Sequence, residues 1–233
     1  FFEIDNLQIN TNGPKISVKA SVVNVEEEIT VNGDTIVNEL VLSQLKKYWP
    51  PNLGRDARNW VSENMQVGTA EEIRMSFSLR IPLFSKPRMF VNSLSGNLKL
   101  RDVTINYMDT VPVIENLHAT AVFTSDRFVA SITEANSGGL QIRSGTVRLL
   151  DLSSPNEKAV IDVNVSGLLK NAFQIMDKKP LNLISKYKIK PEKVGGWINS
   201  NLKFLFPLKN TLKPSLVKIN SISQVINADL PDN

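Results

Sequence analysis

The chain has 233 residues, 42% apolar and 21% charged, enough to bury a large core and too hydrophobic for a disordered polymer. It has no cysteine and one histidine, which removes disulfide frameworks, thiolate metal sites and nearly all Ser-His or Cys-His nucleophile pairs. The net charge of +4 is uneven: Lys158–Asn233 holds twelve Lys, no Arg and five acids, a net of +7, against −3 over residues 1–157. A basic C-terminal third can face an anionic surface, or simply be a solvated face.

Phe1 opens in strand-like text with neither initiator Met nor signal peptide, so the sequence reads as a piece of a longer chain. Alternating apolar residues predict strands at Phe2–Ile9 and Lys15–Val22, with Thr11-Asn12-Gly13-Pro14 as the turn. Ile29–Val31 and Thr35–Val37 flank Asn32-Gly33-Asp34, which predicts another turn. From Leu40 the period becomes helical (Leu42, Leu45, Tyr48, Trp49) until Pro50-Pro51. A second helix is predicted over Arg55–Met65, with Ala57, Trp60 and Val61 on one stripe and Gly68 closing it. Strands resume at 73–83, 88–100, 102–108, 116–124, 127–134, 139–151 and 158–167. The short turns between them, at 124–126, 137–139 and 153–156, imply an antiparallel meander. Leu168–Lys178 is helical (Leu169, Phe173, Met176), Pro180 breaks it, and Leu181–Tyr187 predicts a weaker helix. Gly195-Gly196 then leads into a strand at 198–208, with more strands at 214–220 and 222–230. No run of about 18 apolar residues exists to span a bilayer as a helix.

Two stretches are nearly the same line: IRMSFSLRIPL at 73–83 and INSNLKFLFPL at 198–208. Each follows a proline-broken helical segment (40–65 and 168–188) and a Gly-marked lead-in. The closing stretch Val225–Leu230 falls in the register of Asp102–Tyr107. The chain therefore reads as one continuous β-groove fragment built from two related modules, roughly 1–165 and 166–233, the second truncated.

An antiparallel sheet of alternating strands has one apolar face that something must cover. Fourteen or so strands at about 4.8 Å make a sheet about 65 Å long, more than two short helical segments can hide. The sheet must fold into a sandwich, close as a barrel, or curl into a groove that holds something apolar.

LVLSQLKKYWPP from Leu40, followed by Arg58-Asn-Trp60-Val and Gly68, resembles the helical lead-in of bacterial AsmA-like proteins of the YhdP type. So do Val165-Ser-Gly167-Leu-Leu-Lys-Asn-Ala-Phe-Gln-Ile-Met with Lys179-Pro-Leu181, the strands ending in Pro-Leu, and the closing Asn-Ala-x-Leu-Pro at 227–231. The resemblance runs from about residue 30 to 232 through degenerate motifs, and carries no catalytic residues. It implies a mainly β fold: a long, curved, taco-like antiparallel meander with two short proline-broken helical segments. It also implies a periplasmic segment of a protein anchored in the inner membrane. That protein would conduct phospholipid between inner and outer membranes. The expected partners are phospholipid acyl chains and the two membranes, with no nucleic acid, cofactor or metal. The predicted groove lining is Phe77, Leu79, Ile81, Val103, Ile105, Val147, Leu149, Val163, Val165, Leu202, Phe204 and Phe206. The same residues would equally serve as the core of a closed sandwich that is structural or binds protein.

His118 lies on the strand parity that should face water, and Glu26-Glu27-Glu28 reads as a solvated turn, so neither points to acid–base chemistry. An enzyme on a β scaffold would need convergent carboxylates, and no such pair is legible; no enzymatic activity is expected. Ser137-Gly138-Gly139 lacks the Gly-Lys-Ser/Thr ending of a phosphate loop. Trp49, Trp60 and Trp197 are expected to pack helix on sheet. Lysines 178, 179, 186, 188, 190 and 193 form either a solvated face or a contact for anionic headgroups.

Overall fold

Segments such as KAVIDVNVSGL at Lys158–Leu168 become strands because alternate side chains fall on opposite faces, and β-branched residues pack well on a pleated surface. The computed structural model describes residues 1–10, 12–51, 54–83, 89–108, 110–179, 182–209 and 212–229. In it the strands are β1 (Phe2–Asn10), β2 (Lys15–Val25), β3 (Glu28–Val41), β4 (Val67–Pro82), β5 (Phe90–Ile105), β6 (Ile114–Thr124), β7 (Phe128–Ser137), β8 (Leu140–Leu150), β9 (Lys158–Leu168), β10 (Gly195–Pro207) and β11 (Lys218–Asp229). They form one 11-stranded antiparallel sheet in chain order, open and curled, with β1 and β11 as its edges. Among the described residues there is neither a second sheet nor a β1–β11 seam, so the chain forms neither sandwich nor barrel.

Hairpin connections alternate between two ends of the sheet. One end carries the helices: a 3₁₀ turn at Leu42–Gln44 running into α1 (Leu45–Tyr48), then α2 (Arg55–Asn64), both between β3 and β4, and α3 (Leu169–Met176) between β9 and β10. Arg58 fastens α2 to α1, donating from Nε to the Trp49 carbonyl (2.9 Å) and from Nη2 to the Lys46 carbonyl (2.8 Å).

Several predicted breaks do not interrupt the chain, which is why eleven strands form rather than fourteen. Asn32-Gly33-Asp34 is no turn: Gly33 lies inside β3, opposite Phe77. A Cβ there would meet Phe77 Cζ at 2.6 Å and the Lys19 carbonyl at 2.9 Å, so glycine makes room for the ring. The turn falls instead at Glu26-Glu27, both exposed, as the carboxylate run suggested. The predicted strands 88–100 and 102–108 are one strand, β5, with a bulge at Asp102 (φ +53°). Likewise 214–220 and 222–230 contain a single strand, β11, after a 3₁₀ turn at Pro214–Leu216. The predicted helix 181–187 is a lone 3₁₀ turn at Ser185–Tyr187. Thr11, Pro180, Leu181 and the closing Leu230-Pro231 lie outside the described residues.

Gly68 does not cap α2, which ends at Asn64; it is a bulge inside β4 at φ +108°. A side chain there would press on Val103 Cα and the Asp102 carbonyl. The same device recurs in the second lead-in. Gly196 (φ +104°) faces Asn227 (φ +50°) and Ala228, where a Cβ would meet the Asn227 carbonyl at 2.8 Å. Further positive-φ residues fall near this end at Glu39 of β3 and Asn116 of β6. Bulges bend a strand and increase its twist, so a row of them near one end curls the sheet there.

Candidate functional site: an apolar concave face

Residues paired across an antiparallel ladder share a face, so the register can be followed from edge to edge. One row runs Ile9–Ile16–Val37–Ile73–Leu98–Ala121–Ala130–Val147–Ile161–Phe204–Ile219, one residue from each strand, and every member is apolar. Eleven strands at about 4.8 Å give this rail a length of about 50 Å along the sheet. A neighbouring row, Phe123–Phe128–Leu149–Ala159–Phe206, adds aromatic bulk over β6 to β10.

Every residue predicted to line the groove falls on this one face. Phe77, Leu79 and Ile81 follow the parity of Ile73 on β4, while Val103 and Ile105 rejoin the face after the Asp102 bulge, opposite Leu117 and Ile114. Val147 and Leu149 pair with Ile161 and Ala159. Val163, Leu202, Phe204 and Phe206 follow the β9–β10 ladder, and Val165 pairs with Ile142 and Ser200. Alternation alone did not single out Ile16, Leu98, Ala121 or Ala130; only the register puts them in line with Phe204.

Exposure divides the face in two. At the helical end Val103 is 0% exposed and Leu117 4%, in one buried cluster with Leu42, Leu45 and Met65. The helical segment between β3 and β4 therefore packs onto this face and fills that end. Val163 is also buried. The other predicted lining residues are half-buried. Among the described residues no second layer covers them, so their partial burial comes from the curl, and the face is the concave one.

No paired position on the concave face carries a charged side chain among the described residues. Charges stand on the convex face as cross-strand pairs: Arg80–Glu28 at 3.3 Å and Lys203–Asp162 at 3.2 Å. The Asn201 amide, then Lys203, holds the Asp162 carboxyl below the usual aspartate range. His118 is on this outer side too, with Nε2 3.0 Å from Asp102 Oδ1. Uncharged polar residues interrupt the concave face at Thr35 of β3 and Ser137 of β7, and again towards β11, where Ser200 is buried and its hydroxyl lies 2.7 Å from that of Ser223.

The tryptophans depart from expectation. Trp49 packs half-buried against the core cluster, but Trp60 is 47% exposed. The inward side of α2 is Val61, Ser62 and Met65, which turns Trp60 outward. Trp197 is shifted outward by the Gly196 bulge: its neighbour Ile198 takes the concave position opposite Gly167 and Val225.

An open, single-layer trough, free of charge along its floor among the described residues and filled at one end by its own helices, defines a class of elongated β-groove protein. A model of the YhdP protein family matches residues 4–225, and the chain belongs to that family. No curated protein and no solved structure matches it.

Proposed function

We propose that this chain binds phospholipid by its acyl chains and conducts it along the concave face, as a non-enzymatic periplasmic segment of a protein linking inner and outer membranes. The observation that carries this reading is the apolar row crossing all eleven strands. An acyl chain leaving water gains about 0.8 kcal/mol per buried CH₂. Because each strand offers an apolar residue at the same height, that gain stays nearly constant as the chain moves from strand to strand. A lipid then slides without a deep well to escape. A buried charge would break the path, and the floor carries none among the described residues. The headgroup stays at the open lip, in water. Membership of the YhdP family supports the reading.

Delipidated protein is mixed with fluorescent phospholipid in detergent below its micellar concentration, and uptake is read by gel filtration. The proposal expects co-elution of protein and fluorescence, abolished by Phe204→Asp. Failure of the folded wild-type chain to retain any phospholipid would overturn it.

A further inference from the structure

The connector between β9 and β10 carries a charge and shape that lipid conduction does not use. Over residues 169–194 there are seven lysines against Asp177 and Glu192, so this short segment exceeds the net charge of the whole chain. Lys170, Lys178, Lys179, Lys188, Lys190 and Lys193 are all exposed. Two lysines outside the segment are ion-paired, Lys158 with Asp151 (2.6 Å) and Lys203 with Asp162. None of these six has an ion pair among the described residues.

The segment is built to hold its shape. Leu169, Ala172, Ile184 and Val194 are buried beneath it. The backbone N–H of Ser185 donates to Asp177 Oδ1 (2.7 Å), and its hydroxyl donates to the same carboxylate (2.6 Å). The Leu183 N–H donates to the Met176 carbonyl (3.1 Å). On the outside, Met176, Leu183 and Tyr187 present apolar surface, Tyr187 at 72% exposure. Exposed cations interleaved along the chain with exposed aliphatic and phenolic side chains match the boundary of an anionic bilayer, where lysines meet headgroups and Tyr sits at their level. A polyanion such as nucleic acid would explain the lysines but not exposed Met176 and Leu183.

We propose that the β9–β10 connector is a docking platform for an anionic membrane surface, meeting the bilayer at the corner of the sheet next to β11. This goes beyond conduction along the concave face and does not depend on it.

The test is flotation of the full 233-residue chain with vesicles of phosphatidylcholine alone or with 30% phosphatidylglycerol. The wild type is expected to float with the anionic vesicles only, and less in 0.5 M salt than in 0.1 M. Replacing Lys178, Lys179, Lys188 and Lys190 with Gln should weaken partitioning by about six hundredfold, at about fivefold per lysine. Replacing exposed Lys15, Lys19, Lys99 and Lys218 with Gln removes the same charge elsewhere and should cost far less. The chain has no cysteine, so Tyr187→Cys takes a single polarity-sensitive fluorophore. Its emission should shift to the blue on anionic vesicles, while the same label at Ser95→Cys on the convex face should not move. Binding to both vesicle types alike, binding to neither, equal loss in the two lysine sets, or an unshifted Tyr187 label would each overturn the proposal.

Discussion

A single aspartate placed at two heights on the concave face separates an open trough from a closed core. Phe204 is half-buried between Ile161 and Ile219 on the rail. Full burial of a Phe side chain contributes about 3 kcal/mol, so about half of that is lost on its removal. A carboxylate there can still reach water through the open side, which adds about 1–2 kcal/mol. Phe204→Asp should therefore cost about 3 kcal/mol, within what a domain of typical stability survives. Val163 lies one position along, opposite Gly145 and Leu202, and is 8% exposed. Val163→Asp loses most of about 2 kcal/mol of burial and strands a carboxylate with no cationic partner on that face, a further several kcal/mol. Urea titrations of both variants, with phospholipid uptake measured on each folded sample, read the difference. Phe204→Asp should fold and take up no lipid; Val163→Asp should be largely unfolded. If Phe204→Asp unfolds as completely as Val163→Asp, the position is covered and the trough is not open. If it folds and takes up lipid normally, the rail is not the path.

Gly33→Ala should destabilise by about 1–3 kcal/mol, because the new methyl meets both the Phe77 ring and the Lys19 carbonyl. Adding Phe77→Leu should recover part of that loss, the backbone contact remaining; urea titrations of the single and double variants check this. Asp177 is held below the usual aspartate value of about 3.9 first by the Ser185 hydroxyl and then by its backbone N–H. A depressed carboxyl stabilises the fold above its ordinary value and loses that contribution as pH falls through the lower, folded one. The connector should therefore loosen only in acid, below about pH 4. Ser185→Ala should raise the Asp177 titration towards the ordinary value by carboxyl NMR. An unchanged titration would contradict the hydrogen bonding drawn here.

Strict alternation made much of the sheet legible. Ile161, Val163 and Val165, or Phe77, Leu79 and Ile81, can only share a side once they are in strands, and short turns force antiparallel neighbours. The proline-bounded helical segments were legible for the same local reason. What failed was the reading of glycine and Asx residues. Asn32-Gly33-Asp34 carries the composition of a turn, yet Gly33 is there for the Phe77 ring, a contact 44 positions away that no local pattern announces. Gly68 and Asp102 look like a helix stop and a strand break, but they are two sides of one bulge. That bulge also resets the parity, so alternation could not reveal that Val103 ends beneath Leu42, Leu45 and Met65 while Phe77 stays in the open trough. Trp60 failed because three apolar residues at helical spacing do not say which edge of the stripe faces inward. The rail itself depends on how ten successive hairpins align, and only the pairing register contains that.

Photo-crosslinking along the rail tests the central claim most directly. A photoreactive phenylalanine analogue is placed singly at Ile16, Leu98 or Phe204 on the concave face, and at Ser95, Thr120 or Asn201 on the convex face. Each protein is illuminated with radiolabelled phospholipid. The account predicts labelled protein from all three concave positions, spread from β2 to β10, and none from the convex set. Equal labelling of the two faces, or labelling confined to one end of the rail, would contradict it.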